Sequence, residues 1–307
     1  MDTAPMHAAE FLDAFALPAP ARLRASVLID QYLGADALVP APGRSTLNRT
    51  GIPVQLAVQC DPGRARARLV IDPFVYGGAA TRFAGVMAAL TTGPLRRLAV
   101  GPATEILDSR IAAVRADGDR AIAWFGFDLE DASRSIVYVG NQHDGADGRA
   151  RELVGRVVRD RTITAALHGD LSTGRVELSA VGLCPDDRLK LYIRIRELPC
   201  ATLTTVARLA PFALAGLRAL PSGMGVSPQG LYVAYRVHAG TGAVEDGALE
   251  LAMREDHGWP AGVFEAAGLA PPAIGPTAAP SFLCLGGAPG RARVSVYAGP
   301  ATPRCAP

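Results

Sequence analysis

A chain of 307 residues, 49% hydrophobic and 20% charged, holds enough apolar material for one large core or two ordinary domains. Lys and Arg total 31 against 29 Asp and Glu, so no global field draws the chain to nucleic acid or to an anionic membrane, and any basic function is local. No apolar run approaches the roughly eighteen residues of a membrane span, and MDTAPMHAAEFLDAF carries acids where a secretory signal carries bases, so a cytoplasmic chain is expected.

Residues 8–15 and 21–33 place apolar side chains at helical spacing on either side of a Pro-Ala-Pro break, which predicts two short helices. Gly51 to Cys60, an Asp61-Pro62-Gly63 turn and Arg66 to Asp72 predict a hairpin, with Val54, Leu56 and Val58 alternating against Gln55, Ala57 and Gln59. On the return strand Arg66, Arg68 and Asp72 oppose Ala67, Leu69 and Ile71. Thr81 to Leu90 and Ala103 to Val114 read as helices. Ala121 to Asp128 with Ser135 to Gly140 reads as a second hairpin, which holds Trp124 and Tyr138. After a helix over Glu152 to Val158 comes a third hairpin from Arg175 to Arg196, built around Pro185-Asp186-Asp187. In its second strand Arg188, Lys190, Tyr192, Arg194 and Arg196 share one face and Leu189, Leu191, Ile193 and Ile195 the other.

Thr202 to Leu220 predicts a helix broken near Pro211. Met224 to Val226, a Ser-Pro-Gln-Gly turn and Leu231 to His238 predict a fourth hairpin, in which Tyr232, Ala234 and Arg236 alternate with Leu231, Val233 and Val237. Val244 to Arg254 and Val263 to Ala267 have helical composition. The last hairpin is SFLCLGGAPGRARVSVYAG, with Arg291, Arg293, Ser295 and Tyr297 opposite Ala292, Val294, Val296 and Ala298.

Five hairpins at intervals of about 50 to 70 residues, with helix-like sequence between them, define a five-fold αββα repeat. Ten strands joined as hairpins form an antiparallel sheet, and closing it removes the exposed edges. The expected fold class is α+β: a closed ten-stranded antiparallel barrel of five αββα repeats surrounded by helices, forming a single domain over 1–307. Its aliphatic faces meet the helices outside, while Gln, Arg, Lys and Tyr line a solvated lumen. An outer-membrane barrel also turns apolar faces outward, but its hairpins follow one another without helices and it requires a secretory signal.

In such a lumen Arg68, Lys190, Arg194 and Arg293, from three hairpins, converge on a compact polyanion such as a diphosphate, with Tyr192, Tyr232 and Tyr297 between them. Tyrosine faces stabilise cations while their hydroxyls donate to phosphate oxygens, which suits a diphosphate that ionises to a carbocation, as prenyl diphosphates do. Cys60, Cys184, Cys200, Cys284 and Cys305 are odd in number, far apart and without a CxxC pair, so neither a disulfide framework nor a zinc site is indicated. The histidines show no metal-ligand spacing, and GGAPG and GADG lack the strand-turn-helix context of a phosphate loop.

The hairpin order, STLNRTGIPVQLAV followed by RARLVID, RVELSAVGLCPDDRLKLYIRI, and SFLCLGGAPGRARVSVYAGP resemble the aromatic prenyltransferases of the ABBA, or PT-barrel, fold from about Ser45 onward. The third hairpin is similar to that of the cyanobactin-type peptide prenyltransferases. Length and hairpin count also suit the small soluble bacterial enzymes acting on phenols. The resemblance implies transfer of a prenyl group from dimethylallyl or geranyl diphosphate to an indole, phenol or peptide side chain, with no nucleic-acid or membrane partner. It implies diphosphate-binding roles for Arg68, Lys190, Tyr192, Arg293 and Tyr297; in the fourth hairpin parity selects Tyr232 and family spacing equally Tyr235. The alternative class is a non-catalytic barrel that binds a peptide or hydrophobic ligand.

Where indole and peptide members carry a glutamate on the first strand, the matching position is Gln55, which hydrogen-bonds an acceptor but takes no proton at neutral pH. Either the arene loses its proton to another group, with Glu177 on the neighbouring strand face a candidate, or the acceptor differs from those of the glutamate-bearing members. Some small bacterial members hold magnesium with an aspartate on the second strand. Arg68 stands there instead, so no cofactor is expected and magnesium is at most stimulatory.

Overall fold

In a computed structural model the described residues are 6–34, 37–41, 45, 47–48, 50–92, 95, 98, 122–140, 154–155, 158–159, 161, 164–165, 176–185, 187–195, 231–253, 261–288 and 291–301. In chain order, β1 (Met6–His7) leads into α1 (Ala8–Asp13) and α2 (Ala19–Leu33), and β2 (Ala37–Leu38) pairs back on β1. The barrel strands then follow as hairpins: β3 (Val54–Asp61) with β4 (Arg64–Ile71), β5 (Ile122–Asp128) with β6 (Ile136–Gly140), and β7 (Val176–Cys184) with β8 (Arg188–Ile195). The last two are β9 (Leu231–His238) with β10 (Val244–Ala252) and β11 (Ala278–Ala288) with β12 (Arg291–Pro300). Helix α3 (Ala79–Thr91) lies between the first two hairpins and α4 (Ala261–Ala266) between the last two. Every barrel strand pairs antiparallel with its sequence neighbours, and β12 closes on β3, so the ten-stranded cylinder has no free edge.

Period-two alternation builds the wall. Leu56, Leu69, Phe125, Val137, Leu191 and Val233 face outward and are fully buried against a layer that includes Phe11 and Leu12 of α1 and Ile29 and Tyr32 of α2. Tyr32 anchors this layer: its ring stacks on Phe127 at a centroid distance of 5.3 Å and meets Phe125 edge-on at 5.3 Å. Helix α2 begins with Pro18 as its N-cap and a further proline in its first turn. It ends at Gly34, whose left-handed φ of 63° lets its N–H reach the Asp30 carbonyl.

One element departs from the sequence reading. Val244–Ala252, expected to be helical, is a nine-residue strand that pairs with Leu231–His238. The turn joining them uses Gly242 at φ 68°, with its N–H donating to the His238 carbonyl. A register shift between Val244 and Asp246 makes Glu245 an extra residue, which offsets the alternation and hides the strand. The expected helices over 103–114 and 202–220 and the segment 224–230 lie outside the described residues, as does most of 152–158. The remaining expected hairpins form within a few residues of their expected bounds.

Candidate active site in the barrel lumen

The inward faces of the strands create two connected environments. At the end where the hairpin turns lie, a cavity of about 940 Å³ is lined by Gln59, Arg66, Arg68, Arg236, Asp246 and Arg293, among others. Deeper in, Arg68, Lys190, Arg236, Arg293, Ser295 and Tyr297 surround a small recess. Beyond it, toward the opposite end, lies an aromatic chamber of about 120 Å³ walled by Trp124, Tyr138, Tyr192, Tyr232, Phe282 and Tyr297, together with Gln55 and Glu250. Tyr297 borders all three spaces. A cationic compartment thus borders a π-rich one whose described lining carries a carboxylate, Glu250, and no cation.

The structure brings together four of the expected anion-binding residues, Arg68, Lys190, Arg293 and Tyr297, and sets Tyr192, Tyr232 and Gln55 in the adjoining chamber. Strand pairing explains the convergence. Ala57 is the register partner of both Arg68 and Tyr297, which brings these two to one level, and Lys190 sits beside Arg236. Two glycines make room: a Cβ at Gly182 would lie 3.2 Å from both the Lys190 and Tyr138 side chains, and one at Gly286 would lie 2.8 Å from the Arg293 guanidinium. The two fourth-hairpin alternatives occupy opposite faces of their strand. Tyr235 is 1% exposed within the outer apolar layer, whereas Tyr232 faces the chamber, its ring 6.2 Å from that of Phe282.

Two expected residues do not join the cluster. Arg194 lies two positions beyond Tyr192, at the level of Tyr232, and its Nη1 donates to Glu177 Oε1 at 3.0 Å. Neither residue lines the three cavities above. The reason is strand direction: each step of two along β8 moves a side chain about 7 Å toward the other end, so one parity spans the whole lumen rather than one site. Glu177 is buried, paired with Arg194, and is not among the described residues lining the aromatic chamber.

The residues that sequence reasoning missed are carboxylates of β10. Lys190 Nζ is 3.2 Å from Glu250 Oε1 and 4.5 Å from the centre of the Tyr192 ring. Arg293 Nη1 donates to Asp246 Oδ2 at 2.6 Å, and Arg236 Nη1 lies 3.9 Å from the same oxygen. Their signal was the spacing of Asp246, Ala248 and Glu250 on one strand face, opposite Leu249 and Leu251. Arg68 differs from the other cations of the recess: its buried Nε has no hydrogen-bond partner among the described residues.

Protonation follows from these contacts. Burial works against the Lys190 ammonium, but the Glu250 carboxylate outweighs it and the amine stays above its ordinary value, so it is charged. Burial pushes the Tyr192 and Tyr297 phenols well up, with Tyr138 and Glu250 adding to the effect, so both remain neutral donors. Gln55 is 2% exposed; its Nε2 donates to Ser281 Oγ at 2.7 Å, and Ser281 donates to the Tyr297 carbonyl at 3.0 Å. Because the amide nitrogen is engaged, the carbonyl oxygen is the Gln55 atom that can accept from a ligand N–H or O–H.

This architecture is a PT barrel. Over 97% of its length the chain is similar to 96% of 5-dimethylallyltryptophan synthase from Streptomyces coelicolor, with a TM-score of 0.65 and 15% identity. AnaPT from Neosartorya fischeri gives 0.64 at 14% identity, over 96% of this chain and 93% of that one. PriB in ternary complex with L-tryptophan and dimethylallyl thiolodiphosphate gives 0.62 at 19% identity, over 94% and 92%. No family model and no curated protein sequence matches the chain, so the likeness is one of fold.

Proposed function

We propose that the protein is an aromatic prenyltransferase that ionises an allylic diphosphate, such as dimethylallyl or geranyl diphosphate, and delivers the cation to an electron-rich indole or phenol, free or within a peptide. The observation that carries this reading is the division of the lumen into a cationic recess and an adjoining tyrosine-walled chamber. The solved neighbours add support, since structures of that fold have been determined with dimethylallyl thiolodiphosphate bound alongside L-tryptophan or brevianamide F.

The residues divide the work along the lumen. Arg68, Lys190 and Arg293 stabilise negative charge as the C–O bond of the donor breaks and its electron pair leaves with the diphosphate. Tyr192, Tyr232 and Tyr297 present π faces to the allylic cation and keep water from it. Gln55 orients the acceptor through its carbonyl oxygen. Incubation with dimethylallyl diphosphate and a panel of indoles, phenols and peptides tests the reading. Prenylated product is expected. Tight binding of a peptide or apolar ligand with no turnover of any donor would favour a non-catalytic barrel, a reading supported by the pairing of Lys190 and Arg293 with carboxylates.

Two results are expected of this division. Gln55→Ala should reduce prenylated product while donor hydrolysis persists, because an acceptor hydrogen bond does not act on donor ionisation; a parallel fall in both would assign Gln55 a structural role. Turnover should survive EDTA, with magnesium stimulating at most modestly, because the guanidinium of Arg68 supplies charge directly and repels a divalent ion. Complete loss in EDTA, restored by magnesium alone, would overturn the role given to Arg68.

A further inference from the structure

We propose that Glu250 is the proton acceptor of the reaction, an inference that rests on the prenyl-transfer reading. Prenylation of an arene leaves one proton to be removed. The donor C–O bond breaks with its electron pair going to the diphosphate, and a pair of ring π electrons forms the new C–C bond. The arenium ion then regains aromaticity when its ring C–H bond gives up the proton to a base. Gln55 has no basic atom for this at neutral pH, and Glu177 is held by Arg194 outside the aromatic chamber. Among the described residues lining that chamber Glu250 is the single carboxylate.

Its surroundings fit the role. Glu250 lies opposite Tyr232 on β9 and Cys284 on β11, and its charge contributes to raising the pKa of Tyr192, Tyr232 and Tyr297, which places the carboxylate among the rings that would enclose the cation. Among the described residues its ion-pair partner is Lys190, which also borders the anion recess. An ammonium has three donors, so Lys190 can hold Glu250 with one and offer the others to a diphosphate oxygen. Glu250 therefore joins the two compartments: its partner faces the leaving group while its carboxylate faces the ring that loses the proton.

The test compares wild type with Glu250→Gln and Glu250→Asp, measuring prenylated product, donor hydrolysis and the isotope effect of a ring-deuterated acceptor. General-base catalysis contributes on the order of a hundred-fold or more, so Glu250→Gln should cut product formation at least that far while hydrolysis stays within a few-fold. A primary deuterium isotope effect, small in wild type, should emerge as deprotonation becomes limiting. Glu250→Asp keeps a charge for Lys190 and withdraws the carboxylate by one methylene. It is expected to fold as wild type does, lose product formation about ten-fold and retain hydrolysis, which guards the assignment against a folding failure of the glutamine variant. Product formation within a few-fold of wild type in both variants, or an equal loss of product and hydrolysis without an isotope effect, would overturn the assignment and leave Glu250 as the structural partner of Lys190. Absence of any donor turnover by wild type would instead overturn the prenyl-transfer reading, and the base with it.

Discussion

Arg68→Ala is expected to weaken binding of dimethylallyl thiolodiphosphate by more than ten-fold while leaving the folding midpoint in urea near that of wild type. The guanidinium is permanently charged and its buried Nε has no hydrogen-bond partner among the described residues, so the group is held ready for a ligand rather than committed to the fold. A charge-assisted hydrogen bond is worth about 1.5 to 3 kcal/mol, which corresponds to roughly ten-fold or more in affinity. Lys190→Ala should weaken binding comparably, but it should also lower the urea midpoint, because it strips Glu250 of the partner 3.2 Å away. Calorimetry and urea titration on both variants separate the two roles. Unchanged affinity in Arg68→Ala would remove it from the donor site.

The second large effect is on stability. Asp72 continues the inward parity of β4 past its end, is fully buried and pairs with Arg82 of α3. Burial pushes its carboxyl up to about 6, against the pull of the Arg82 guanidinium that donates to it. The sign is fixed by linkage: a carboxyl raised above its value of about 3.9 in the unfolded chain holds its proton more tightly when folded. The associated stability is complete below pH 4 and is lost as pH rises through about 6. Asp72→Ala removes the buried acceptor of the Arg82 hydrogen bond, a change worth about 1.5 to 3 kcal/mol. The difference between wild type and Asp72→Ala in urea should be largest near pH 4.5 and smaller at pH 7.5. A difference that grows with pH would mean the ion pair outweighs the cost of burying the carboxylate.

The third hairpin was readable because its alternation runs unbroken from Arg188 to Ile195, so parity alone placed Lys190 and Tyr192 in the lumen. The fourth was misread for a local reason. Ala248, Leu249, Leu251 and Ala252 sit at spacings a helix also produces, and the register shift after Val244 breaks the period-two pattern where it would have been clearest. Losing that strand concealed Asp246 and Glu250, and with them the fact that two lumen cations are paired. Such pairs join residues 60 and 47 positions apart, so they depend on which strands become neighbours, not on local pattern. Arg194 shows the complementary limit of the pattern, for parity fixes which face a residue occupies and says nothing of its depth in the barrel. Trp124 and Tyr138 were visible as an aromatic pair on the second hairpin, but only closure of the cylinder turns them into a chamber wall.

The most direct measurement is turnover by the purified wild-type protein with dimethylallyl diphosphate and a panel of indoles, phenols and aromatic peptides, following diphosphate release and acceptor mass together. The account predicts a prenylated acceptor formed with one diphosphate per transfer, lost in Arg68→Ala. Saturable ligand binding in the lumen with no release of diphosphate from any allylic donor would contradict it.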